Sequence, residues 1–134
     1  MALDLQKYLG LFVSEAGEHL AAFGRELVRL EQAPPSAARK EIVDALFRHA
    51  HSVKGMSASM QLDAVASLAH GLEDLVASFR AAPARLDSAA VDLLLAAGDA
   101  LQAMVQEAAR GGSPAEEGAL ASRLAEAARR YREQ

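Results

Sequence analysis

From Leu9 to Leu30 the apolar residues return every three or four positions, through Phe12, Val13, Ala16, Leu20, Phe23 and Leu27, while Glu15, Glu18, Arg25, Glu26 and Arg29 fill much of the remainder. At about 100° per residue such spacing puts the apolar side chains on one stripe of an α-helix. An isolated stripe of this kind is unstable until other helices cover it, so the pattern commits the chain to helix-on-helix packing. The same period recurs in four later segments. Val43, Leu46, Phe47, Ala50, Val53 and Met60 mark a second stripe, and Val65, Leu68, Ala69, Leu72, Leu75, Val76 and Phe79 a third. Val91, Leu94, Leu95, Leu101, Met104, Val105 and Ala108 mark a fourth, and a thinner, more charged fifth runs through Leu120, Leu124, Ala127 and Tyr131.

Punctuation divides the stripes. Pro34-Pro35, Pro83 and Gly111-Gly112-Ser113-Pro114 stop helices, because proline lacks an amide hydrogen and biases its predecessor away from the helical region, while glycine suits a helix end. The predicted helices run from Asp4, as N-cap, to about Glu31; from Ser36, as N-cap, through Met60; from Asp63, as cap, to about Ala81; from Asp87 or Ser88 to the Gly111 break; and from about Ala115 onward. Short connections favour antiparallel neighbours. The expected fold is all-α: an antiparallel up-down four-helix bundle over about residues 4–110, with an additional C-terminal fifth helix over about 115–132 that either lies on the bundle or projects from it. Gly17 and Gly24 in the first helix are read as possible points of close approach by a neighbour.

Composition narrows the function. The 134 residues suffice for one domain, and 51% apolar content is not that of a disordered chain. Without cysteine there is no disulfide framework or thiolate metal site. A net charge of -4 argues against nucleic acid as the main partner. No signal peptide is visible and no uninterrupted apolar run reaches the roughly 18 residues of a membrane span, so the default expectation is cytoplasmic. Nothing resembles the phosphate-cradling G-x-x-x-x-G-K-[ST] loop.

The chemistry concentrates between His49 and Met60. Positions three and four residues after His51 share its face of the helix, which makes Lys54 and Gly55 its neighbours. His51 lies about a third of a turn from the middle of the apolar stripe and is expected to reach solvent. A mid-helix glycine costs about 1 kcal/mol against alanine, and Gly55 beside a histidine leaves access for another protein. Lys54 adds positive charge where an incoming phosphoryl group gains from it. An imidazole of ordinary pKa, about 6.5, is mostly neutral at pH 7 and is a competent nucleophile. His49, about 200° around the helix from His51, is read as a packing or surface residue, and His19, with no cluster around it, receives no role. Ser57 and Ser59 are expected to bond to local backbone.

His51-Ser52-Val53-Lys54-Gly55 resembles the H-x-(aliphatic)-K-G signature of histidine phosphotransfer (HPt) domains, and Leu46-Phe47-Arg48-His49-Ala50 looks like the N-terminal HPt domain of CheA-type chemotaxis histidine kinases. His70-Gly71-Leu72-Glu73 is similar to the family's H-x-x-E on the next helix, so the resemblance covers nearly the whole chain. It implies that His51 is the phosphoacceptor through Nε2, that Glu73 orients His51 through Nδ1, that Lys54 supplies phosphate-side electrostatics, and that His70 lines the site. It further implies that the domain is a carrier with no cofactor and no ATP site of its own. ATP and Mg²⁺ would come with its partners: the ATP-binding kinase domain of the same or a dimer-related chain, and response-regulator receiver domains. Residues 1–134 would then be a single HPt domain and a fragment of a larger protein-histidine kinase, with Arg129-Arg130-Tyr131-Arg132-Glu133-Gln134 as the start of a linker. Members often carry further glycines where this chain has Met56, Ala58 and Gln61, so the end of the second helix is expected to differ in shape.

Other readings are a stand-alone phosphorelay carrier, the HPt module of a hybrid kinase, or a non-catalytic helical adaptor. A di-iron-type bundle would need repeated E-x-x-H pairs, and no histidine here has a glutamate three residues before it.

Overall fold

The computed structural model describes residues 5–133, so the Asp4 cap lies outside the described residues. Five helices follow in order: α1 (Leu5–Glu31), α2 (Ser36–Ser59), α3 (Asp63–Ala77), α4 (Ser88–Ala109) and α5 (Gly118–Glu133), with a single 3₁₀ turn at Pro83–Arg85. No strand occurs among the described residues. In the four-helix bundle α1 packs on α2 and α4, and α3 packs on α2 and α4. The stripes meet in one core, where Phe23, Leu27, Leu46, Leu68, Leu94 and Leu101 are almost completely buried. Burying a Leu or Phe side chain stabilises by roughly 1.5–3 kcal/mol, which is why this face rather than intrinsic propensity holds the helices.

α4 is long and apolar enough to cross a membrane by length and composition. Asp92 and Asp99 interrupt it, and Leu94, Ala97, Leu101 and Val105 of its apolar face are buried in the bundle. It is the most apolar wall of the core.

The fifth helix lies on the bundle, against α3. Leu124, Ala127, Ala128 and Tyr131 supply its buried face. Gly71 permits this contact, since a Cβ there would stand 3.3 Å from Cδ1 of Leu124. Tyr131 then donates its hydroxyl to Asp87 Oδ1 at 2.7 Å and sets its ring 4.6 Å from that of Phe79. Asp87 also caps α4 by accepting from the Ala90 amide at 3.0 Å. The hydrogen bond from Tyr131 and that from Ala90 hold the Asp87 carboxyl below its ordinary range.

Several sequence expectations need correction. Ser36 and Asp63 are the first residues of their helices rather than caps; Pro35 and Leu62 hold the cap positions and neither makes a side-chain cap bond. α3 ends at Ala77, four residues before Ala81, in turns closed by Ser78, Phe79 and Arg80 amides. α5 begins at Gly118 rather than Ala115. Gly17 and Gly24 face open space, with nothing within 4 Å of an added Cβ, so no neighbour approaches there.

Two helices end in the same motif with different residues. After α4, Gly111 takes φ 84° while the Gly112 amide reaches back to Glu107 O, the bond that defines a Schellman end. After α2 the equivalent position is Gln61, at φ 58°, with the Leu62 amide bonded to Ser57 O. The turn keeps the geometry glycine favours without a glycine. A side chain in the left-handed region costs about 1 kcal/mol, so Gln61→Gly is expected to raise unfolding free energy by up to about that amount in urea denaturation. A neutral or destabilising result would show that Gln61 makes a compensating contact.

Candidate phosphoacceptor site

The site forms where α2 crosses α3. The apolar stripe of α2 buries Leu46, Ala50 and Val53 and leaves His51 on the flank, its side chain 63% exposed. Ser57, fully buried one turn on, satisfies its hydroxyl on Val53 O at 2.6 Å. From α3, Glu73 projects toward His51 and Lys54. Its side chain is only 9% exposed, and it is the one buried charged residue among the described residues.

Both carboxylate oxygens of Glu73 are occupied. His51 Nδ1 donates to Oε2, and Lys54 Nζ donates to Oε1 at 2.7 Å. Burial pushes the Glu73 carboxyl up, but the hydrogen bonds from Lys54 and His51, together with their charges, outweigh it and hold the group below its ordinary 4.5. At neutral pH Glu73 is therefore an anion and can only accept. A charged acceptor at Nδ1 favours the tautomer with the proton on Nδ1, which leaves the lone pair on Nε2. Nε2 has no partner among the described residues, so the ring presents a nucleophilic nitrogen to solvent.

The remaining site residues fall around this pair. Gly55 is exposed and a Cβ there would meet nothing within 4 Å, so the surface beside the imidazole is open. Lys54 is tied to Glu73 instead of standing free at the edge. His70 is exposed at one turn from Asp74, with its Nε2 3.4 Å from Asp74 Oδ2. His70, Glu73 and Asp74 bring ligand atoms within 4.8 Å of one another, yet both Glu73 oxygens are already bonded to His51 and Lys54.

Three contributions escaped the sequence reading. Phe47, assigned there to the buried stripe, is half-buried and stacks its ring near-parallel to that of His51. His19 does have a partner: its Nδ1 stands 2.9 Å from Nδ1 of His49 across the α1–α2 interface. His19 also lines a groove of about 590 Å³ with Leu11, Phe12, Met56, Met60 and His51 itself. The exposed Leu11 and Tyr8 extend its apolar character along α1. The only sequence signal for Phe47 is its i,i+4 spacing to His51, and none identifies the His19 pairing, which depends on the register between two helices.

Burial, and then the neighbouring His19, push the His49 imidazole below 6.5; Glu26 opposes this, while Arg48 and Arg25 add to it. The folded protein thus binds a proton at His49 less readily than the unfolded chain does. This contribution to stability is full above about pH 6.5 and is lost as pH falls through the lowered folded value. Chemical denaturation between pH 8 and 5 is expected to show declining stability that is shallower in His49→Gln. An identical slope in the variant would assign the decline to other groups.

Comparison with known proteins finds relatives over most of the chain. Residues 7–111 match the family model described as Hpt domain. The chain is 36% identical over 110 residues to chemotaxis protein CheA of Bacillus subtilis, covering 82% of this chain and 16% of that protein. It is 34% identical over 106 residues to CheA of Treponema pallidum, covering 79% of this chain and 13% of that one. It therefore spans about a sixth or less of these curated relatives. Among solved structures it resembles the phosphorylated P1 domain of CheA3 in complex with CheY6 from R. sphaeroides, with TM-score 0.83 and 32% identity over 93% of this chain and 98% of that one. With its helical bundle, its exposed His51 and its family match over residues 7–111, the chain belongs to the Hpt domain family.

Proposed function

We propose that this domain is the phosphoacceptor and carrier of a chemotaxis-type two-component kinase. The observation that carries the reading is the outward imidazole of His51, bonded at Nδ1 to the buried Glu73 carboxylate and with no partner at Nε2 among the described residues. In the first step the Nε2 lone pair attacks the γ-phosphorus of ATP held by a separate kinase domain, of the same or a dimer-related chain. An N–P bond forms, the bond from the γ-phosphorus to the bridging oxygen breaks, and ADP leaves. The Nδ1 proton stays in its hydrogen bond to Glu73, which stabilises positive charge as it develops on the ring. In the second step a carboxylate oxygen of a receiver-domain aspartate attacks the phosphorus. The N–P bond breaks, its electron pair returns to Nε2, and His51 is regenerated.

Lys54 holds a positive charge beside the phosphorylated ring, since its ammonium shares the carboxylate that binds His51. His70 borders the site, and Gly55 keeps the approach open. ATP and Mg²⁺ belong to the partner domains, and the domain itself needs no cofactor. A cytoplasmic kinase of the CheA type, of which this chain is one module, is the parent we infer. The likeness to a P1 domain solved with CheY6 supports a receiver domain as the second partner.

Incubation with a CheA-type kinase core and γ-labelled ATP is expected to label the wild-type chain and not His51→Gln; label on the variant would rule out this position. Glu73→Ala is expected to slow labelling by about tenfold or more. It should cost no more than about 1–2 kcal/mol of stability, because His51 and Lys54 are exposed enough to turn to water. Unchanged kinetics in a variant with wild-type circular dichroism would remove Glu73 from the mechanism.

A further inference from the structure

Resting on that reading, we infer that Phe47 is a positioning residue for the transfer, acting as a flat stop that sets the direction of Nε2. Phe47 and His51 are four residues apart on α2 and thus share a face. Their ring centroids lie 6.0 Å apart with planes inclined by 13°, within the range of offset stacking. Phe47 is itself held in place. The Arg80 guanidinium carbon sits 4.3 Å from its ring centroid, and Arg80 Nε reaches Asp44 Oδ1 at 3.4 Å. Arg80 lies in the turn that follows α3, so this clamp ties the ring to the segment leading out of the helix that carries Glu73.

The need for a second constraint follows from the first. A hydrogen bond at Nδ1 fixes one atom of the ring, but rotations about χ1 and χ2 can keep that contact while the ring plane rocks and Nε2 sweeps an arc. The ring is too exposed for the core to stop this motion. A parallel aromatic face one turn away removes it at little entropic cost, because Phe47 is anchored by its half-burial. In-line attack needs the lone pair aligned with the breaking P–O bond, and orientation of this kind is worth large factors in rate. Glu73 thus selects the tautomer, and Phe47 aims it.

Phe47→Leu keeps the apolar volume and removes the flat face; Phe47→Tyr keeps the face. Each is compared with the wild-type chain using two phosphoryl donors, a CheA-type kinase core with ATP and the small molecule phosphoramidate, which has no fixed approach. From the saturating kinase core, Phe47→Leu is expected to be labelled about tenfold more slowly, Phe47→Tyr within twofold of wild type, and Arg80→Gln at an intermediate rate. With phosphoramidate all are expected to react within about twofold of one another, because a freely diffusing donor samples every direction of approach. ¹³C relaxation at His51 Cε1 is expected to report a more mobile ring in Phe47→Leu, a smaller increase in Arg80→Gln and no change in Phe47→Tyr. Wild-type kinase rates in Phe47→Leu, equal slowing with both donors, or an unchanged ring mobility would overturn the inference. Should Phe47→Leu fail to fold, an Arg80→Gln rate equal to wild type overturns it. A wild-type chain that accepts phosphate from neither donor would instead overturn the phosphoacceptor reading.

Discussion

A carboxylate withdrawn from water needs partners, and in this domain those of Glu73 are available only in one relation of two helices. An unpaired buried carboxylate would shift its pKa upward and take a proton. The two donors from α2, His51 and Lys54, prevent that and keep it ionised. The pairing only works if α2 and α3 hold their register, and the core in which Leu46 and Val53 of α2 are buried with Leu68 and Leu72 of α3 supplies it. Core packing therefore sets the chemistry of the surface: the buried anion reaches out to one nitrogen of an exposed ring.

The division of labour between burial and exposure suits a carrier. The site buries the acceptor that defines the tautomer and exposes Nε2, the nitrogen proposed to react. It has no enclosing walls, since Gly55 opens one side and a shallow apolar groove along α1 and α2 runs past the other. A ring that enters two different active sites, as proposed here, gains from a convex setting, provided its direction is already set. α5 contributes from behind, where Leu124 seats on Gly71, two residues from Glu73 on the opposite face of α3.

The features legible in the sequence are those governed by period and by local chemistry. The stripes, the proline and glycine stops, the outward placement of His51 and its alignment with Lys54 and Gly55 follow from helix geometry alone. The pairing with Glu73 came from resemblance, because spacing within one helix says nothing about which residue of the next helix faces it. The missed pairings share that cause, and the missed caps are local. His19 was read as solitary because its partner His49 is supplied by α2. Gly17 and Gly24, possible points of close approach by residue type, face open space, whereas Gly71 meets Leu124 of α5. Ser36 and Asp63 were natural cap candidates by residue type, yet Pro35 and Leu62 occupy the caps. Gln61 took the left-handed turn that a glycine would normally announce, because the pull of the Ser57 carbonyl and the short link to α3 outweigh the strain.

The account depends on which ring nitrogen of His51 carries the proton. Long-range ¹H–¹⁵N correlation spectra of the imidazole at neutral pH read this directly. The Glu73 anion predicts a single Nδ1–H tautomer with an unprotonated Nε2, collapsing to a mixture in Glu73→Gln. A wild-type ring protonated mainly at Nε2, or a tautomer balance indifferent to residue 73, would contradict it.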